Sequence, residues 1–295
     1  MKNRRLSFCL VLSVFTYICI AGFTQTNAAE AGKYIKPQKL TDRVLMVSLG
    51  YDVITAVESD GGIVVIDAGI SNSLTAKYRT IIEKEFNRKD FAYLINTHSH
   101  WDHIGGNQVF SDAVIIGHHN CLVEMALYWK DPDKVKAGAL KTIENYEAKL
   151  KSADFDSLDK ADFVLQKIRY KSVYNDLLND RIVTTPSVTF QDQMNINLED
   201  MTLNLIYFGR AHTGSDIMIH IPEEKLLMAG DLFSEGGRPH FRKYTKQDTE
   251  RWMSAKQWIE ERLDSIEIVI GGHGEIMGRE DLIGFFKRIN ELHTE

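Results

Sequence analysis

Apolar and polar positions divide the chain into strand-like and helix-like segments that recur in one order. Short β-rich runs stand at VLMVSL (44 to 49), DVITAVES (52 to 59) and GIVVIDAG (62 to 69). The next segment, SNSLTAKYRTIIEKEF, keeps Leu74, Tyr78, Ile81, Ile82 and Phe86 at helical spacing, with Ser71 or Ser73 as its cap. Residues 91 to 97 and AVIIG (113 to 117) predict two further strands. Residues 120 to 182 lack β-like runs and read as amphipathic helices, with Trp129, Leu140, Ile143, Tyr146, Phe163, Ile168, Tyr174 and Leu177 on their apolar faces. Strands resume at VTTPSVTF and continue through MTLNLIYF, DIMIHI and EKLLMAG. The helix QDTERWMSAKQWIEERL, the strand IEIVIGG and a terminal helix REDLIGFFKRINELH follow. The second half thus repeats the first, strands and then helix. Two facing sheets with helices outside would bury these runs, so the expected fold is a layered α/β sandwich. The helical block between the halves is an insertion that either packs on the body or closes over a site.

Length and composition fit this reading. With 295 residues and 44% apolar content the chain can bury a full core, and no low-complexity linker separates its halves, so residues 30 to 295 are read as one domain. The start has the layout of an export signal: charge in KNRR, the apolar stretch LSFCLVLSVFTYICIAGF, and small residues in TQTNAAEA that place cleavage after Ala28 or Ala29. The expected location is periplasmic or secreted. The alternative is an uncleaved membrane anchor, because the apolar stretch approaches spanning length; otherwise no stable membrane contact is expected. Neither Cys9 nor Cys19 follows the small residue that a lipid-attachment site requires, and both leave with the signal. Cys121 alone remains, so the mature chain forms no internal disulfide. Removing the signal takes away Lys2, Arg4 and Arg5 and no acid, moving the net charge from -6 to -9 and arguing against a nucleic-acid partner.

The stretch NTHSHWDHIGGN, residues 96 to 107, changes the picture. It sets His98, His100, Asp102 and His103 directly after an apolar strand, a density of lone pairs and charge that points to cation coordination. His212 follows the strand LNLIYF, Asp231 the strand KLLMAG, and His273 the strand IEIVIGG, so four strands end in metal-capable side chains. If residues 98 to 102 are extended, both imidazoles and the Asp102 carboxylate converge on one side, while His103, one step out of phase, faces a neighbouring point. Gly105 and Gly106 would allow the tight backbone path there.

This arrangement, HSHWDH with a later His, Asp and His each closing a strand, resembles the metallo-β-lactamase superfamily over nearly the whole mature chain. The resemblance implies a four-layer αββα sandwich with the site along one edge of the paired sheets. It implies His98, His100 and His212 as ligands of a first metal, Asp102, His103 and His273 as ligands of a second, and Asp231 as a bridging carboxylate. The implied cofactor is two zinc ions, with iron or manganese as alternatives. The implied reaction is hydrolysis of a small-molecule carbonyl compound (ester, lactone, thioester or β-lactam-like amide) by a hydroxide shared between the metals, with Asp102 a ligand first and a proton guide second. Rival readings are a mononuclear iron oxidoreductase of the persulfide dioxygenase type and a metal-binding protein without turnover. Within the family, the branch with a cysteine at the Asp231 position is disfavoured. No extra helical domain of the hydroxyacylglutathione hydrolase kind is expected after His273, and Leu232, Phe233 and Ser234 stand where acyl-homoserine lactonases usually carry a tyrosine.

Other residues have plainer readings. Asp67 in VIDAG either orients a ligand or terminates a turn. His118 and His119 lie outside the ligand set. His220, mid-strand, is expected at the surface. Arg238 and His240 in SEGGRPHF either line a substrate mouth or belong to a surface loop. The GGHG at 271 to 274 lacks the lysine of a phosphate loop.

Overall fold

A computed structural model describes residues 30 to 179 and 182 to 294; the expected export signal, residues 1 to 29, lies outside these residues. No helix among them is long and apolar enough to cross a membrane. The first sheet runs in sequence order through β1 (Lys36–Lys39), β2 (Val44–Leu49), β3 (Asp52–Ser59), β4 (Gly62–Ile66), β5 (Phe91–Ile95), β6 (Val114–His118) and β7 (Val188–Phe190). Its first four strands form an antiparallel meander, and the β4–β5, β5–β6 and β6–β7 pairs are parallel. Parallel neighbours need crossovers. The first is α1 (Asn72–Phe86), capped by the Ser71 hydroxyl, which accepts from the Leu74 amide. The second carries the one-turn helix α2 (Trp101–Ile104). The third is the helical insertion itself: α3 (Asn120–Tyr128), α4 (Pro132–Lys151) and α5 (Ser157–Leu178).

The second sheet is ordered β15-β14-β11-β10-β9-β8. Its strands are β8 (Gln193–Asn197), β9 (Thr202–Tyr207), β10 (Ile217–Ile221), β11 (Leu226–Gly230), β14 (Ile268–Gly271) and β15 (Ile276–Met277). A hairpin, β12 (Phe233–Ser234) with β13 (Arg238–Pro239), leaves the end of β11. Helix α6 (Lys246–Glu260) crosses from β11 to the parallel β14, and α7 (Arg279–Thr294) closes the chain.

Both faces of each sheet are covered, which explains why β2, β4, β10 and β11 read as near-continuous apolar runs. Along β2, Val44 and Met46 join Val64, Leu203, Ile219 and Met228 between the sheets. Leu45 and Val47 turn the other way, to Leu74 and Tyr78 of α1 and Ile168 of α5. On the far side, Met218 and Val269 meet Trp252 of α6 and Phe285 of α7. The layers are therefore helix, sheet, sheet, helix, the expected αββα sandwich. The insertion packs on the body through α5, and part of it also reaches the site. Strands β1 and β8 were not anticipated because KPQK and QMNIN carry almost no buried side chains. His220 corrects its expectation: it is 2% exposed and lies against the Ser265 hydroxyl and the Trp258 ring.

Candidate metal centre

The histidine motif leaves β5 and turns at once. Asn96 and Asn107 exchange two side-chain hydrogen bonds, 3.0 and 2.8 Å, that close the base of the loop. Within it Thr97, His98 and Ser99 bend, and His100 alone is extended before the helical turn. The His100 carbonyl accepts from the amides of His103 (2.9 Å) and Ile104 (3.2 Å), and Trp101–Ile104 is helical. Alternation along an extended segment is therefore the wrong local geometry. Asp102 and His103 leave the His98 side together and face a second point. The glycines after them also act differently than expected. A Cβ on Gly105 would collide with the Ile70 carbonyl and one on Gly106 with the Thr75 hydroxyl, so both permit close approach of two loops.

Seven side chains meet as two groups, His98, His100, His212 and Asp231 in one and Asp102, His103 and His273 in the other, with the candidate donor atoms of each group within 4.8 Å of one another. Asp231 stands between them. Its Oδ2 is 3.8 Å from His98 Nε2, 3.4 Å from His212 Nε2 and 3.2 Å from His273 Nε2, while Oδ1 is 3.4 Å from His103 Nε2. Gly272 makes room for that carboxylate, because a Cβ there would strike Asp231 Oδ1.

The far nitrogens of the rings are held from behind. His273 Nδ1 donates to the Tyr51 carbonyl (2.7 Å), His212 Nδ1 to the His240 carbonyl (3.0 Å) and His103 Nδ1 to Asp67 Oδ2 (2.9 Å). A carbonyl can only accept, so these bonds fix the proton on Nδ1 and leave an Nε2 lone pair facing inward. Asp67 is both an orienting group and a turn residue. Its φ of 60° lies in the left-handed region, and Thr97 holds it there by donating from its amide (2.7 Å) and hydroxyl (2.8 Å).

The inward atoms test whether cations fit. His98 Nε2, His103 Nε2 and Asp231 Oδ1 are buried without a hydrogen-bond partner. Each such orphan costs about 1–3 kcal/mol. His212 Nε2 and His100 Nδ1 face one another at 3.1 Å, where two lone pairs repel unless a cation or a proton lies between. A pair of divalent cations answers all of these at once, so the donor set fits the group.

The charges of the protein's own groups agree. Burial, then His103, push His98 well below the usual imidazole range, and burial with His212 brings His100 down to about 4. Burial is outweighed at His103, which Asp231 and Asp67 hold well above that range, and at His273, which Asp231 raises. Against the same opposition His103 and His98 hold Asp231 well below the carboxylate range, and His103, His273 and Arg169 lower Asp102.

A sequence profile described as the metallo-β-lactamase superfamily matches residues 49 to 273. The chain belongs to the metallo-β-lactamase superfamily. Metallo-β-lactamase type 2 of Bacillus cereus is 21% identical over 297 residues, covering 95% of this chain and 96% of the relative. The 2,4-dinitroanisole O-demethylase subunit alpha of a Nocardioides strain is 26% identical over 143 residues, 47% of this chain and 44% of its own. Among solved structures, an inverting sec-alkylsulfatase from Pseudomonas superposes with a TM-score of 0.61 at 14% identity, over 88% of this chain. This chain spans only 42% of that enzyme's length. A metallo-β-lactamase from Pseudomonas aeruginosa in a mono-zinc form gives 0.55 at 14% identity, over 88% of this chain and 97% of the other. These likenesses fix the fold, and superfamily membership gives metal-dependent hydrolase chemistry as the coarse class.

In this metallo-β-lactamase superfamily member the mouth of the site differs from the sequence expectation. The cavity beside the ligands, about 480 Å³, is lined by Ser99, His100 and His212 and by three cations, Arg210, Arg242 and Lys243. Arg238 lies on the β12–β13 hairpin and is not among them, and His240 contributes its carbonyl. Two residues of the insertion reach the ligand loops. Glu124 of α3 accepts from the Ser99 hydroxyl (2.6 Å), the Ser215 hydroxyl (2.7 Å) and the Gly214 amide (2.7 Å), tying the loop of His98 and His100 to that of His212. Arg169 of α5, 5% exposed, sets Nη2 3.6 Å from Asp102 Oδ2. Neither lies in a local motif, and their helix faces are mixed, with Asn120 beside Glu124 and Gln166 and Ser172 beside Arg169, so no local pattern marks them.

Proposed function

We propose that the protein is an exported dinuclear zinc hydrolase that cleaves a carbonyl compound (an ester, lactone, thioester or β-lactam-like amide) bearing an anionic group. The observation that carries this reading is the meeting of two donor groups on the Asp231 carboxylate with buried, unpartnered atoms turned inward. His98, His100 and His212 would hold one ion, Asp102, His103 and His273 the other, and Asp231 would bridge. When bound, such ions supply Lewis acidity and bring the pKa of a water from roughly 15.7 toward about 7. The protein's own part is placement. The bonds to Tyr51, His240 and Asp67 keep lone pairs aimed without rearrangement. Asp102, with Arg169 behind it, stays ionised and is placed to take a proton on its carboxylate once substrate is seated. Arg210, Arg242 and Lys243 draw an anionic group into a cavity on a protein whose overall charge is negative, orienting the carbonyl toward His100 and His212.

Elemental analysis of purified protein, combined with turnover of a panel of β-lactams, lactones, thioesters and phosphodiesters, tests this. Two zinc ions per chain and hydrolysis of an anionic carbonyl compound are expected. One iron per chain would overturn the reading in favour of an oxygenase, and bound zinc without turnover in favour of a metal-binding protein. Export is tested by N-terminal sequencing of the mature protein, expected to begin at Ala29 or Glu30.

A further inference from the structure

The insertion encloses a second, larger cavity of about 790 Å³ whose wall begins inside the metal motif. Trp101, between His100 and Asp102 in sequence, forms one side, with its ring 5.3 Å from that of Tyr170 on α5 and stacked at 6.4 Å on that of Tyr128 on α3. Val135 and Gly138 of α4 form the opposite side. Leu127 and Tyr128 line both this cavity and the cationic one beside His100 and His212, so the two adjoin at these side chains. Leu127 is 67% exposed, an apolar side chain left uncovered at the junction. Gly138 sits inside a helix, where glycine is about 1 kcal/mol worse than alanine. Gly138 is exposed and a Cβ there would meet nothing within 4 Å, so packing does not require the glycine and a larger side chain has room beside the cavity it lines.

Resting on the hydrolytic reading of the metal edge, we propose that this cavity is the subsite for an apolar arm of the substrate. The substrate is then an amphiphile. Its acyl or aryl-alkyl chain lies between Trp101, Tyr128, Tyr170 and Gly138, and its anionic group lies among Arg210, Arg242 and Lys243, with the carbonyl between the two. The volume falls within the range of about 300–1,000 Å³ typical of small-molecule pockets. Lys130, Asp131, Lys134 and Thr142 also line the cavity, so the chain would leave water against the aromatic and aliphatic part of the wall, Trp101, Tyr128, Tyr170, Val135 and Ala139.

Calorimetric titration of the zinc-loaded full-length protein with straight-chain carboxylates from propionate to decanoate tests this. Once the chain passes the Leu127 junction, Kd should tighten two- to fourfold per added methylene, the upper figure being roughly that for complete burial of one CH₂. Gly138→Leu, which fills the cavity, should weaken decanoate at least tenfold and leave propionate within twofold. Leu127→Asn, at an exposed position, should act in the same direction more mildly. Affinity independent of chain length, or a length dependence unchanged in Gly138→Leu, overturns the proposal. Turnover of short esters by the same preparation reports separately on the hydrolytic reading. Length-dependent binding without turnover would sink that reading and leave the cavity assignment standing, and turnover with flat affinities would do the reverse.

Discussion

Replacing Glu124 by alanine would cut the one carboxylate that joins the two ligand loops of the first donor group. Its three hydrogen bonds, at 2.6, 2.7 and 2.7 Å, all go to a charged acceptor. Such bonds contribute about 1.5–3 kcal/mol each when desolvated. Glu124 is only partly buried, and water would reach Ser99, Ser215 and Gly214 after truncation, so the low end applies, discounted to a total near 3 kcal/mol. For a chain of this size each kcal/mol moves Tm by about 2 °C, giving a fall of roughly 6 °C. On the proposed dinuclear zinc reading, loosening the loops of His98, His100 and His212 should also weaken the ion they would hold by about 10–100-fold, the usual cost of removing a group that orients ligands. Glu124→Gln keeps the shape and can still accept from Gly214 while its amide donates to the serine oxygens, so it should lose only about 1 kcal/mol. Differential scanning calorimetry and competition with a chromophoric chelator measure both effects. A Glu124→Ala protein that melts within about 1 °C of the parent and holds its first zinc unchanged would refute the reasoning, as would a Gln variant as damaged as the alanine one.

Four further outcomes follow from the charges at the centre. Asp231→Ala removes the carboxylate both groups share, so at most one metal per chain should remain and turnover should fall by at least about 100-fold; unchanged stoichiometry by elemental analysis would exclude a bridging role. His100 is lowered to about 4 by burial and His212, against 6.5 when unfolded. As pH falls from 6.5 toward 4 the unfolded chain takes up a proton that the folded one refuses, so the His100 contribution to the stability of the chelated protein, read as the difference between parent and His100→Gln, should change across that window in the sense of destabilising the parent. His103 and His273 are raised instead, so zinc loading at pH 7 should release about one to two protons, seen as a buffer-dependent calorimetric enthalpy, and turnover should drop on acidification. Arg169→Met would leave Asp102 and the buried Asp52 without the cation near both, at a cost of roughly 2–3 kcal/mol in urea unfolding at neutral pH; full stability in that variant would mean the pair contributes nothing.

Most of the sandwich was readable because strands covered on both faces are apolar at nearly every position, as in IMIHI and LLMAG. The edge strands KPQK and QMNIN escaped for the opposite reason. The donor residues were readable because each ends a strand, where a chemical motif is concentrated in few positions. Their local shape was not, since the single helical turn of Trp101–Ile104 depends on the Ala68 amide donating to the His103 carbonyl at 2.7 Å across the fold. Glu124, Arg169 and Arg242 were missed because their roles exist only once residues 25 (Ser99 and Glu124) to 143 (Ser99 and Arg242) positions apart come together. His220 was misread because a buried polar ring mid-strand looks in sequence like a solvent-facing one until Ser265 and Trp258 are packed on it.

Tyr51 and His240 grip the imidazoles of His273 and His212 through main-chain oxygens. Any amino acid at those two positions offers the same carbonyl. The side chains at these two positions can therefore change while the imidazoles keep their aim.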